Sequence, residues 1–159
     1  MNKGNIGLIG IGVMGENLSL NMESKGFTVA VFDIDQKKVD NFVNGRAKGK
    51  KIIGAHSVKE LIDALEKPRK VMMMVQAGKT VDTVIDELIP LMENGDIIID
   101  GGNSHFPDTT RRTKYLESKG YETLNILYPS REQNLEDLSD FVHGKIMRPT
   151  IQSSSSPRR

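Results

Sequence analysis

Three glycines and one carboxylate are the residues whose types and spacing could act together. Gly10, Gly12 and Gly15 stand within Asn-Ile-Gly-Leu-Ile-Gly-Ile-Gly-Val-Met-Gly-Glu-Asn, from Asn5 to Asn17, and Asp33 follows Gly15 by 18 residues. A Gly-x-Gly-x-x-Gly that follows an apolar run and opens an amphipathic one is the pattern of a βα turn that receives a dinucleotide. Each glycine has its own task. Gly10 makes the tight turn off the strand, Gly12 brings the main chain up to a pyrophosphate with no Cβ between them, and Gly15 lets the helix pack closely on the strand. The anion then rests on amide N–H groups at the positive end of the helix. A glycine-rich surface turn is the plain alternative. Against it stand Ile6 to Ile9 before the turn, and Leu18, Met22 and Phe27 after it at near-helical spacing.

Asp33 closes the second apolar strand, where such a turn places the carboxylate that accepts hydrogen bonds from the adenosine ribose. A 2'-phosphate in the same place would set two unit charges ~4 Å apart, a repulsion of roughly 4 kcal/mol at an effective dielectric near 20. NAD is favoured over NADP on that ground. Asp35 adds negative charge, whereas Lys37 and Lys38 soften it or simply start a solvated helix. Asp33 as a turn residue and nothing more is the other reading.

The elements that must position these groups follow from periodicity. Ile6–Ile9 is a strand and Val13 to about Lys25 a helix stopped by Gly26. Phe27–Phe32 is a second strand, and Gln36–Val43 a short helix ended by Asn44-Gly45. Arg46 to Lys51 reads as a solvated basic connection, Lys51–Ile53 as a brief strand. Ser57 caps a helix with Glu60 at the capping-box position and Leu61, Ile62 and Leu65 as its apolar stripe, ending at Pro68. Val71 to Val75 is apolar throughout, as in a strand covered on both faces. Its three adjacent methionines read as core rather than as a soft-metal site, for no His or Cys is near. Val81, Val84, Ile85, Leu88, Ile89, Leu91 and Met92 mark one helix stopped at Asn94-Gly95, Ile97–Ile99 a strand, and Pro107 to Lys119 a helix ended by Gly120. With a sixth strand between Gly120 and about Leu127, six strand candidates alternating with five helices give a Rossmann-like, doubly wound parallel α/β sheet, incomplete on its C-terminal side, with ligands at the carboxyl ends of the strands. Gln76-Ala77-Gly78 and Gly101-Gly102-Asn103-Ser104 both follow strands into that crevice. Small residues there let a nicotinamide lie against main chain, and the Asn103 amide can donate and accept. A turn leading into the next helix would equally explain Asn103.

Composition narrows the classes. The 159 residues suit one domain, and charged residues, 27% of the chain, nearly cancel at +1, so nothing argues for nucleic acid or an acidic membrane surface. With no cysteine there are no disulfides and no thiolate metal sites. No apolar run nears the ~20 residues of a membrane span, and the chain enters a strand almost at once. A cytoplasmic, soluble protein is expected. His56, His105 and His143 form no Ser-His-Asp set and no metal-ligand spacing. The domain is expected over 1–127, with 128–159 a polar tail whose serine run and terminal Arg-Arg read as disordered.

Gly7 to Leu18, Lys67-Pro68-Arg69, Val75-Gln76-Ala77-Gly78, and Gly95 to Ser104 with Asp108-Thr109-Thr110-Arg111-Arg112 together resemble the N-terminal domain of the decarboxylating 6-phosphogluconate dehydrogenases, over roughly residues 4 to 120. The resemblance implies that Gly10, Ile11, Gly12, Val13, Met14 and Gly15, with Val75, Gln76 and Ala77, line an NAD or NADP cofactor. It implies that Asn103 touches both nicotinamide and substrate. The implied reaction oxidises the C3 hydroxyl of 6-phosphogluconate by hydride transfer; carbon dioxide then leaves and ribulose 5-phosphate remains, in the pentose phosphate pathway and gluconate use. A homodimer or larger assembly is implied as well.

This sequence departs from the family in three places. Gly12 stands where alanine is frequent. Asp33-Ile34-Asp35 replaces the Asn-Arg-Thr of NADP-using members, whose arginine grips the 2'-phosphate. Tyr128 to Gln133 replaces a Val-Ser-Gly-Gly-Glu-Glu-Gly-Ala segment that helps hold substrate. The family's helical domain, with its lysine base and glutamate acid, lies outside the 159 residues, so no catalytic residue is assigned here. A non-catalytic dinucleotide-binding module, or an inactive truncated remnant, is the alternative function. A related β-hydroxyacid dehydrogenase is disfavoured by the Asp100–Ser104 block and Arg111-Arg112.

Overall fold

A computed structural model describes residues 3–75, 79–101 and 106–125. In chain order these form β1 (Ile6–Ile9), α1 (Val13–Ser24), β2 (Val29–Phe32), α2 (Gln36–Asn44), β3 (Ile52–Ala55), α3 (Val58–Asp63), β4 (Lys70–Met73), α4 (Lys79–Leu88), a 3-10 turn (Ile89–Leu91), β5 (Ile97–Asp100), α5 (Phe106–Ser118) and β6 (Glu122–Asn125). Among the described residues the strands make one sheet in the order β3-β2-β1-β4-β5-β6, and each neighbouring pair is parallel. The expected α/β doubly wound sheet is the observed one.

Alternation along the strands sorts the core into two layers. Leu8 lies in register with Val31 and Met72, and Met72 with Ile99, a fully buried row that packs under Leu18 and Met22 of α1 and Val39 and Phe42 of α2. On the other face Ile9 with Met73, and Val71 with Ile98, form two register pairs that pack with Leu61 and Ile62 of α3, Val81, Ile85 and Leu88 of α4, and Leu116 of α5. Strands apolar at every position are what a sheet covered on both sides requires, and each such burial stabilises by about 1.5–3 kcal/mol relative to exposure. Met72 and Met73 are core side chains, as their setting in an apolar run indicates.

Several boundaries differ from the sequence reading, each for a local reason. The single helix expected from Val81 to Met92 ends at Leu88 and gives way to a 3-10 turn over Pro90, which has no N–H to carry the α-helical ladder. The third helix stops at Asp63, ahead of Pro68, although Ser57 caps it as expected by accepting the Glu60 N–H at 3.0 Å. β3 runs Ile52–Ala55 rather than Lys51–Ile53, because Gly54 pairs with Val31 and lies under Val39 and Val43. The basic connection is not wholly solvated: Ala47 is in the core, and Arg46 reaches back to α1, with Nη1 on Glu16 Oε1 and Nη2 on Asn17 Oδ1, both at 2.9 Å. The tail assigned to 128–159 lies outside the described residues.

Candidate functional site

From β1 the chain passes to β2 on one side and, after β3, returns to β4 on the other, so the sheet changes winding direction at the carboxyl end of β1. That is where the glycine turn sits. Main-chain bonds knit this edge one rung beyond the strands: Gly10 N–H donates to Phe32 O at 2.9 Å, Met74 N–H to Ile9 O at 2.7 Å, and Gly101 N–H to Met73 O at 2.9 Å. Gly10 has φ +104°, and a Cβ on it would run into the Met74 carbonyl and lie 3.1 Å from Val75 Cγ1. Gly15 comes against the Gly10 carbonyl, where a Cβ would collide with the oxygen. Gly10 thus makes the tight turn off β1 in a conformation that favours glycine, and Gly15 packs α1 closely against it.

Gly12 is different. It is the N-cap of α1, in extended conformation, and among the described residues no side chain caps the helix there and nothing lies within 4 Å of where its Cβ would be. The fold has no need of glycine at this position, so any need comes from what approaches the turn. Beside it Val13 is 77% exposed and Met14 38%, and across the edge Ile34 is 92% exposed, three of the four large apolar side chains that stand out among the described residues. An open helix N-terminus with apolar side chains around it suits a dinucleotide, whose diphosphate needs amide donors and whose rings need apolar walls.

Asp33 is only 8% exposed. Its Oδ2 accepts the Ile11 N–H and its Oδ1 the Asp35 N–H, each at 2.8 Å. Asp35 in turn caps α2 by accepting the Lys37 N–H at 3.1 Å. Ile11 therefore turns its side chain into the core and its amide to Asp33. Of the residues singled out, Gly10, Ile11, Gly12, Val13, Met14, Gly15, Asp33 and Val75 are gathered at this one edge; Gln76, Ala77 and Asn103 lie outside the described residues. The glycine pattern does not point to Ile34 as part of this surface; the signal for it is a large apolar residue between two aspartates at a strand end.

The basic residues of the motifs serve as struts. Arg112, 5% exposed, donates from Nε to Asp82 Oδ1 at 2.7 Å and from Nη2 to Oδ2 at 3.3 Å, and Arg111 reaches the same carboxylate, tying α5 to α4. The hydrogen bond from Arg112 holds the Asp82 carboxyl below its ordinary value. These residues, with Ile85, Asp86 and Tyr115, line a cleft of about 340 Å³ that includes no residue of the glycine turn. At the opposite end of the sheet, buried Asp96 accepts the Arg69 and Glu93 amides at 2.7 and 2.8 Å, while Lys67 pairs with Glu93 at 2.6 Å. His56 pairs with Asp40 at 2.7 Å, and that hydrogen bond raises its pKa above 6.5. Among the described residues no three His, Asp or Glu side chains are grouped to hold a metal, and no helix is long and apolar enough to cross a membrane.

The family model described as the NAD binding domain of 6-phosphogluconate dehydrogenase matches residues 5–126. The decarboxylating 6-phosphogluconate dehydrogenase of Dictyostelium discoideum is 51% identical over 156 residues, 98% of this chain and 30% of that protein. Its counterpart in Aggregatibacter actinomycetemcomitans is 58% identical over 160 residues, 97% of this chain and 33% of that one. The chain thus spans about a third of these relatives' length. Among solved structures, Plasmodium falciparum 6-phosphogluconate dehydrogenase, studied in apo form and in complex with NADP+ and with 6-phosphogluconate, superposes with a TM-score of 0.70 at 41% identity over 75% of this chain and 26% of its own. A 3-hydroxyisobutyrate dehydrogenase of Mycobacterium tuberculosis shares the fold, with a TM-score of 0.67 at 20% identity over 80% of this chain and 41% of its own.

Proposed function

Because the chain belongs to the 6-phosphogluconate dehydrogenase family, whose NAD-binding domain it carries at residues 5–126, we propose that it supplies the cofactor-holding part of an oxidative decarboxylation of 6-phosphogluconate to ribulose 5-phosphate. One observation carries this reading: α1 opens at Gly12 with no side-chain cap and with free space above it, at the edge where the sheet changes winding direction. The bound nicotinamide would accept the hydride from the C3 hydroxyl. What this chain contributes is placement. The amides at the start of α1 receive the diphosphate, their positive end of the helix offsetting its charge. Val13, Met14 and Ile34 offer apolar surface to the rings, and the Val75 side chain stands against the turn on the β4 side. Gln76 and Ala77 would continue that wall, and Asn103 would meet nicotinamide and substrate, roles carried over from the family at positions that match its motifs.

The preferred cofactor in this reading is NAD. The Asp33 carboxylate sits at the end of β2, close to the turn through its bond to Ile11, and no cation replaces the family's arginine at Ile34. A 2'-phosphate there would meet the negative charge of Asp33 and Asp35, softened only by Lys37 and Lys38. The proton-transfer groups of the reaction belong to the part of the family's length that these residues do not include, and a homodimer in the cytoplasm is the setting proposed for the whole.

Incubation of the chain with 6-phosphogluconate and either cofactor, followed by absorbance of the reduced nicotinamide, tests the division of labour. Binding of cofactor without reduction is the result this reading expects. Reduction at an enzymatic rate would place the acid–base groups within these residues and overturn it.

A further inference from the structure

We propose that Asp33 is a positioning residue of the diphosphate site: its carboxylate sets the direction of the amides that open α1, besides any part it takes in reading the ribose. The inference rests on the cofactor reading above and concerns how the same site is built.

Both oxygens of Asp33 are engaged by main-chain donors, Oδ2 by the Ile11 N–H across 22 positions of sequence and Oδ1 by the Asp35 N–H. Asp33 as a residue is 8% exposed, so water replaces neither bond well. Ile11 is the residue between the left-handed Gly10 and the N-cap Gly12. Without a tether at that peptide, two glycines in succession around one residue leave the turn free to reorient, since glycine has the widest choice of main-chain conformation. The carboxylate removes that freedom at the one peptide where it matters: the plane of the Gly10–Ile11 peptide is held from the β2 side, and the amides beyond Gly12 follow from it. The charge has a second consequence. The Ile11 N–H is already given to Asp33, so the diphosphate is left to the amides from Gly12 onward. A carboxylate suits this better than an amide, because a carboxylate can accept from both sides whereas an asparagine presents one acceptor oxygen and one donor.

The test compares the 159-residue chain with Asp33→Asn and Asp33→Ala for binding of ADP and of 2',3'-dideoxy-ADP, the second lacking the ribose hydroxyls. Hydrogen exchange at the Ile11 amide is followed beside exchange at Leu8 and Val31 in the core. If Asp33 positions the turn, Asp33→Ala weakens dideoxy-ADP about tenfold or more and Asp33→Asn weakens it less. The Ile11 amide loses protection while the core amides keep theirs. If dideoxy-ADP binds the variants as it binds the parent and only ADP is weakened, Asp33 merely reads the ribose and the proposal is overturned. Equal loss of protection at Ile11, Leu8 and Val31 overturns it as well, by showing a general loss of stability. Failure of the parent chain to bind either nucleotide would instead remove the cofactor reading itself.

Discussion

Replacing Asp33 by asparagine removes a negative charge from the place where an adenosine ribose would lie, and the consequence falls on the ratio of two affinities rather than on either alone. In the reading proposed above, repulsion of a 2'-phosphate, roughly 4 kcal/mol before screening at ~4 Å, is what favours NAD, so the NAD-to-NADP affinity ratio is expected to fall at least tenfold in Asp33→Asn, read by titration at low salt. A ratio that does not move would locate the selection elsewhere. The glycines separate just as sharply. Gly10→Ala demands an alanine at φ +104° against the Met74 carbonyl, and Gly15→Ala presses on the Gly10 carbonyl, so each is expected to cost about 2 kcal/mol or more in chemical denaturation. Gly12→Ala meets nothing and is expected to change stability by less than about 0.5 kcal/mol. The sequence made the three glycines and Asp33 readable, because their spacing is a local pattern. The Ile11–Asp33 bond was not readable, since it joins residues 22 apart that only the β1–β2 pairing brings together.

At the scale of elements, the long periodic segments were legible and the breaks within them were not. Val81 to Met92 keeps helical spacing through Pro90, so pattern alone runs the helix past the point where a missing N–H ends it. Arg111-Arg112 stood out as a motif, yet its structural use is visible only when α4 and α5 are side by side, with Asp82 between them. Arg112→Ala is expected to lower stability by about 1–2 kcal/mol, below the loss for a fully buried pair because Asp82 is 37% exposed. The pH dependence has a definite sign. The Asp82 carboxyl is held below 3.8 in the folded chain, so its contribution is complete above that value and fades as pH falls through the folded one. The advantage of the parent chain over Asp82→Asn in thermal melts should therefore be level near neutrality and shrink in acid below 3.8.

The whole molecule follows from a single topological fact. The strand order β3-β2-β1-β4-β5-β6 runs outward from β1 in both directions; with right-handed crossovers that reversal puts helices on both faces and leaves the crevice beside the glycine turn. The apolar runs of the central strands, Val71 to Val75 above all, announced that sheet. The chain spans about a third of its relatives' length, and residues 5–126 of it match the family model described as the NAD binding domain of 6-phosphogluconate dehydrogenase, the portion proposed above to position a nicotinamide dinucleotide. Isothermal titration of the folded chain with NAD, and in parallel with NADP, tests this most directly. One site with heat of binding for NAD and weaker binding of NADP is the predicted result; no heat with either nucleotide would contradict the account.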